Sequence, residues 1–304
     1  MFRGILGIVI ALFSLLALAV IGLASVFLSL PDVRELKGCV TTELYHVHLC
    51  DTDPNYTEYA QISPYIIGAV IMSEDASFYS HQGVDFYEMK QSMKTDLNEG
   101  RFARGASTIT QQLAKNVFLS KKKNIVRKLE EIYLAFQIEK YYTKAKILTL
   151  YLNVVEFGDN IYGVKAASRQ YFNKAPSELY PEEAAFLAFL LPNPKKYSQS
   201  FQKKKLTPFA SKTLKTILHK MELGRKITEE EYALAISKIP EFPWSQTAVA
   251  DENAGKADVG IDSGNPPSEY GPGEEPTDED NFKFDFSDDD KVEPDPNTTG
   301  SQGN

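Results

Sequence analysis

The sequence predicts a mostly α-helical domain, preceded by one transmembrane helix and followed by a disordered acidic tail. Three observations carry that expectation. Ile5 to Leu30 is an unbroken run of 26 residues without charge, proline or amide side chains. From about residue 61 to 245, apolar residues recur at helical spacings and alternating strand patterns are scarce. From Asp251 to the end, 16 acidic residues face 3 basic ones.

The apolar run is long enough to cross a hydrocarbon core of about 30 Å with some tilt. It exceeds the apolar stretch of a signal peptide, about 7–15 residues, so an uncleaved anchor is expected over residues 1–30. Arg3 is the one charged side chain before it, which orients the N-terminus inward and the bulk outward. Residues 31–60 read as a connector with Pro31, Pro54 and two cysteines, Cys39 and Cys50. Outside the cytoplasm these would close a loop; a pair of free thiols, or a metal site with His46 and His48, are the other readings.

Residues 61–245 form the predicted domain. Ile66, Ile67, Val70 and Ile71 share one face of a first helix, with Pro64 suited to its first turn. Phe86, Met89 and Met93 open a second helix that should end near Gly100. Thr108 and Gln111 form a capping-box pattern for a third. Leu129, Ile132, Tyr133 and Phe136 mark the apolar face of a helix starting near Asn124. Ile147, Leu148, Tyr151 and Leu152 mark the next, with Asn153 expected to bond helix ends. Glu182 to Leu191 is apolar almost all round and reads as a buried helix stopped by Pro192. Thr228 and Glu231 cap a last helix.

Residues 246–304 form the acidic tail. Its net charge is −13 against −8 for the whole chain, so residues 1–250 carry about +5. A segment rich in Pro, Gly, Ser and acids buries too little apolar surface to offset its ordering entropy. Phe282, Phe284 and Phe286 within it read as a stray aromatic cluster or a short partner-binding strand. No nucleic-acid partner is expected.

The chemistry concentrates in three stretches. Thr108, Gln112, Lys115 and Asn116 are spaced i, i+4, i+7 and i+8, so they would line one polar helix face with a single cation. Glu74 and Asp75 abut a helix C-terminus, the unfavourable end for negative charge. A carboxylate held there against an apolar wall such as Phe78 would have a raised pKa, which suits a general base. Arg127, Lys128 and Glu131 share a face at i, i+3 and i+4 spacing. With Lys115 they bring up to three cations near one acid. A leaving alcohol needs a proton, whereas a leaving diphosphate needs positive charge. Clustered cations fit the second chemistry better.

Four ordered motifs carry a resemblance: Glu74-Asp-x-x-Phe78-x-x-His81-x-Gly83, Gly105-x-Ser-Thr108-Ile-Thr-Gln-Gln112-Leu-x-Lys115-Asn116, Arg127-Lys128-x-x-Glu131 and Lys144-x-x-Ile-Leu-x-x-Tyr151-Leu-Asn153. They resemble those of the peptidoglycan glycosyltransferases, glycosyltransferase family 51. That family includes monofunctional transglycosylases and the N-terminal domains of bifunctional penicillin-binding proteins. Further likeness runs through Glu156-Phe-Gly158, Gly163 to Ser168, Tyr171-Phe172 and Leu190 to Pro194, so about residues 60–235 are covered.

The resemblance implies a lysozyme-like α fold and polymerisation of lipid II into β-1,4 glycan strands, with inversion and release of undecaprenyl pyrophosphate. It implies Glu74 as the base and Glu131 as a second carboxylate that organises the pyrophosphate, with a divalent cation, Mg or Mn, as an optional helper. It implies Lys115, Arg127 and Lys128 at the diphosphate. Asp75, Phe78, His81, Thr108, Gln112 and Asn116 would shape the cleft and hold donor sugars. The implied location is the bacterial inner membrane with the domain on the periplasmic face. The implied partners are lipid II, the growing strand, the membrane and, through the tail, cell-wall synthesis proteins. Phe102 and Phe118 are candidates to dip into lipid.

Two departures stand out. The family's later Arg-x-x-x-Val-Leu motif reads Thr213-Leu-Lys-Thr-Ile217-Leu218 here. No transpeptidase motifs follow, and Ser120-x-x-Lys123 and Ser200-x-x-Lys203 are chance matches without their partners. The alternatives to a polymerase are a lysozyme-like hydrolase on the same scaffold and an inactive domain that binds a cell-wall complex.

Overall fold

The computed structural model describes residues 2–99, 107–121 and 124–244. The acidic tail, Phe102, Lys123 and the phenylalanines near residue 284 lie outside the described residues. The chain divides into two units, one formed by Met1–Met89 with Ala106–Ala257 and the other by Lys90–Gly105 with Asp258–Asn304. Of the second, the described part is Lys90–Glu99, which is helical.

Among the described residues the order is α1 (Phe2–Leu28), β1 (Val40–Thr41), β2 (His48–Leu49), α2 (Pro64–Glu74), α3 (Phe86–Glu99), α4 (Ile109–Phe118), α5 (Ile125–Tyr141) and α6 (Lys144–Val154). There follow β3 (Glu156–Gly158), β4 (Ile161–Tyr162), α7 (Val164–Phe172), α8 (Pro181–Leu190), α9 (Pro194–Tyr197), α10 (Gln199–Gln202), α11 (Pro208–Leu223) and α12 (Glu229–Lys238). The strands form two short antiparallel ribbons, β1 with β2 and β3 with β4. The mostly α expectation therefore holds.

α1 has 27 residues, about 40 Å at 1.5 Å per residue. It is apolar enough to cross a membrane by length and composition. Its outward apolar side chains, such as Phe13, Leu15 and Leu18, are exposed, which fits a helix whose solvent is lipid.

α8 is the central post. Every residue from Pro181 to Leu190 is buried, and α8 packs against α2 and α11. Its first turn carries Glu182 and Glu183, which are buried but paired with Lys238 and Lys174, each at 2.7 Å. α4 packs against α5 and α6. These two groups of helices share one core, into which the predicted connector also sends Val33, Leu36 and Leu49. The connector is thus folded onto the domain, and Cys39 and Cys50 within it form a disulfide.

Asn153 ties the connector down. Its amide nitrogen donates to Thr57 O at 2.9 Å and Thr149 O at 2.8 Å, and its oxygen accepts from Thr57 N at 2.8 Å. It bonds a connector strand to α6 rather than one helix end to another.

α5 corrects the sequence expectation. Its buried positions are Glu131, Leu134, Ala135 and Ile138, while Leu129, Tyr133 and Phe136 lie outward, each about two-fifths exposed. The helix is apolar on two faces, and periodicity alone does not say which turns inward. The outward stripe has its own neighbours: the Tyr133 ring lies 5.1 Å from Phe27 of α1, and Phe136 stacks with Phe86 at 6.3 Å. Phe118 is half-buried and packs against the core, the alternative to dipping into lipid.

Candidate active site

The site is assembled where α2 ends and α4 begins. Pro64 at the first turn and Ser63 as N-cap start α2, and Ile66, Ala69, Val70 and Ile71 bury its inner face. The helix stops at Glu74, with Asp75 as its C-cap residue. The chain then turns through Ser80 to Gly83. Gly83 has φ +92°, and a Cβ there would come within 2.9 Å of the Ala135 carbonyl oxygen, so only glycine fits. Its own carbonyl accepts from the Thr108 hydroxyl at 2.6 Å.

Thr108 and Gln111 make the expected capping box: Thr108 Oγ1 accepts from Gln111 N at 3.1 Å, and Gln111 Oε1 accepts from Thr108 N at 3.0 Å. Asp75 adds a tertiary cap. Its Oδ2 accepts from Ile109 N at 3.0 Å, so the end of α2 clasps the start of α4. His81 Nε2 sits 2.9 Å and 3.1 Å from the two Asp75 oxygens. Phe78 is fully buried beneath Lys144, whose ammonium lies 4.4 Å from the ring centroid. Asp75, His81 and Thr108, with the buried Phe78 beside them, therefore fix the junction between the end of α2 and the start of α4.

The polar face foreseen on α4 is narrower than the spacing suggested. Thr108 and Asn116 are buried, and Gln112 and Lys115 remain partly exposed. Thr108 is spent on capping. The Asn116 side chain is buried, and its backbone carbonyl accepts from Leu44 N at 3.3 Å.

Glu74 is partly exposed, and its Oε2 accepts from Gln112 Nε2 at 2.8 Å. Burial of the surrounding site raises its pKa, the Gln112 bond and the Lys115 charge oppose the rise, and the Asp75 charge adds to it. The net direction is upward, as a general base requires. Lys115, one turn beyond Gln112, has its pKa lowered by burial. The Glu131 charge opposes this, Arg127 and Lys128 reinforce it, and Glu74 opposes it. Lys115 thus stands within electrostatic reach of both Glu74 and the α5 cluster.

In that cluster Arg127 Nη1 donates to Glu131 Oε2 at 3.0 Å, and Lys128 Nζ bonds Glu131 Oε1. Lys128 also donates to Ser107 Oγ at 2.8 Å. The Glu131 side chain is 3% exposed, Arg127 19% and Lys128 39%, so the acid is the buried anchor and the cations reach outward. A resident divalent ion does not suit this donor set, because each Glu131 oxygen already meets a cation and Lys115 adds a third. The one cluster with metal-ligand geometry among the described residues is Cys39, His48 and Cys50, and its thiols are consumed by the disulfide.

One residue escaped sequence reasoning. Tyr151 reads as core and is fully buried, yet its hydroxyl lies 3.0 Å from Gln112 Oε1. The signal was available in principle, since a buried tyrosine hydroxyl needs a partner. The departing Thr213 motif lies in α11, where Leu214, Ile217 and Leu218 are buried and Thr213 bonds its own helix at Phe209 O, 2.9 Å away.

A helical domain that holds a carboxylate of raised pKa within electrostatic reach of a cluster of cations suits a glycosyl-transferring enzyme. Residues 42–222 match the transglycosylase family. The chain belongs to that family, the peptidoglycan glycosyltransferases whose motifs its own resemble. Among similar proteins, the biosynthetic peptidoglycan transglycosylase of Nitrosospira multiformis is 42% identical over 163 residues, 54% of this chain and 69% of that protein. That of Nitrosomonas eutropha is 42% identical over 151 residues, 50% of this chain and 62% of the relative. Penicillin-binding protein 1A of Aquifex aeolicus is 36% identical over 244 residues, 77% of this chain but 33% of that protein. The chain thus spans about two thirds of the transglycosylases it matches.

Proposed function

We propose that this transglycosylase polymerises lipid II into β-1,4 glycan strands at the outer face of the bacterial inner membrane. Glu74 takes the proton from the 4-hydroxyl of the acceptor sugar. That oxygen attacks C1 of the donor, the configuration inverts, and undecaprenyl pyrophosphate leaves. Lys115, Arg127 and Lys128 receive the negative charge that develops on the diphosphate, and Glu131 holds the last two in place.

The observation that carries this reading is Lys115, which lies within electrostatic reach of both Glu74 and the Glu131, Arg127 and Lys128 cluster. A proton acceptor and a diphosphate cradle bridged by one cation fit displacement of a pyrophosphate. A hydrolase would need a protonated acid in place of the cations.

Membrane association is supported by α1 and by the outward stripe of α5. That stripe begins one residue from Lys128 and meets Phe27 near the end of α1. The helix that bears the cradle therefore also bears the apolar face nearest the anchor, which suits a diphosphate tethered to a lipid. Confining enzyme and substrate to one surface raises their effective concentration. The disulfide fits an oxidising compartment outside the cytoplasm. Recruitment of cell-wall synthesis proteins is the role proposed for the acidic tail.

The test is incubation of the purified full-length protein with labelled lipid II, with and without a divalent cation, followed by product sizing. Wild type is expected to yield glycan strands, and Glu74→Gln none, with an unchanged thermal midpoint. Wild-type-like polymerisation by Glu74→Gln would remove the assigned base.

A further inference from the structure

We propose that Tyr151 is a positioning residue that anchors the Gln112 side-chain amide where it donates to Glu74. The inference rests on Glu74 being the base and goes beyond that assignment.

An amide has a donor end and an acceptor end, and they exchange by a half-turn about one bond. An ionised carboxylate only accepts. Glu74 Oε2 therefore demands the NH2 end of Gln112, which lies 2.8 Å away. The opposite end, Oε1, faces the Tyr151 hydroxyl at 3.0 Å. A tyrosine hydroxyl both donates and accepts, but burial and the charges of Glu74 and Asp75 hold its pKa well above the ordinary value, so it keeps its proton. It therefore donates to Oε1 at every working pH. Glu74 sets which end of the amide faces it, and the tyrosine anchors the other end in place.

Without the tyrosine hydroxyl the amide loses its far anchor. Its bond to the ionised Glu74 then weakens, which favours the protonated carboxyl. Tyr151 thus disfavours the protonated base through an intermediate side chain, without touching substrate.

The other ionisable groups around Glu74 leave this route intact. Asp75, the C-cap residue next to it, and Lys115 on α4 act on it through their charges. On the helices packed against α2, Glu182 and Glu183 of α8 are held by Lys238 and Lys174, and His219 of α11 lies against Glu222.

Tyr151→Phe removes one oxygen from a fully buried ring and keeps its shape. The experiment is the pH profile of kcat/KM for lipid II polymerisation by wild type, Tyr151→Phe, Gln112→Ala and the double variant. Tyr151→Phe is expected to move the acidic limb up by about half to one pH unit, with activity recovering at higher pH. Gln112→Ala moves it the same way, and adding Tyr151→Phe to Gln112→Ala moves it no further, because the tyrosine acts through the amide. A uniform loss of rate with an unmoved limb would mean that Tyr151 only packs, and would overturn the proposal. So would full additivity in the double variant. Activity in Glu74→Gln would instead remove the base itself, so the two failures are distinguishable.

Discussion

Replacing Lys115 with methionine is the perturbation that best separates diphosphate displacement from glycoside hydrolysis. The methionine keeps most of the side chain's length and removes its charge. Lys115 is only partly exposed, and burial already pulls its pKa down, so its charge acts in a poorly solvated place. One unit charge about 4 Å from a developing phosphate charge, at an effective dielectric of about 20, is worth about 4 kcal/mol. That corresponds to roughly a thousandfold in rate, at the upper end of what loss of one such donor costs. Lys128 is 39% exposed and shares Glu131 with Arg127, so water screens it more; Lys128→Met should cost about tenfold. The assay is the initial rate of strand formation from labelled lipid II at fixed pH and salt, with the thermal midpoint measured on the same samples. Lys115→Met should leave the midpoint unchanged or slightly raised, because it relieves burial of a cation. Polymerisation within tenfold of wild type would refute the role given to this cation. Release of soluble fragments from finished peptidoglycan by the variant would favour a hydrolase.

Under the proposed mechanism the pH dependence of the wild type follows from Glu74 as the base and Lys115 as the diphosphate's cation. Glu74 works only when ionised, and its raised pKa should put the acidic limb above the ordinary carboxylate range. Lys115 works only when protonated, and its lowered pKa should bring the alkaline limb below the ordinary lysine range. A profile of kcat/KM flat from pH 4 to 10 would contradict both. Asn153→Ala should destabilise the fold by about 2–4 kcal/mol, because it strands the Thr57 backbone in a buried place. Thermal unfolding should show a midpoint lower by roughly 5–12 °C for a domain of this size, and an unchanged midpoint would argue against the clamp.

How much of this was readable in advance depends on how local the physics is. The Thr108–Gln111 and Thr228–Glu231 caps, the buried α8 and the carboxylate pair closing α2 are each set within a few residues, and the structure has them as expected. The errors lie where tertiary partners decide. α5 is apolar on both sides, so its inward face was misassigned; the buried Glu131 shows that the polar cluster turns toward the protein interior. On α4 the i+8 spacing linked Thr108 to Asn116, but one is consumed in a cap and the other is buried. The bonds from Asp75 to Ile109 and from Tyr151 to Gln112 span 34 and 39 residues and leave no periodic trace.

The Asp75 clasp has a consequence for how this chain can vary. Glu74 serves the chemistry, and the very next residue grips the first turn of the helix that carries Gln112 and Lys115. The stretch from 76 to 108 leaves and re-enters at that grip, like a detour with its entrance and exit riveted together. Lengthening or trimming the detour between Gly83 and Thr108, which are themselves bonded, should leave proton acceptor and anion seat at the same separation. A change at position 75 would loosen both at once.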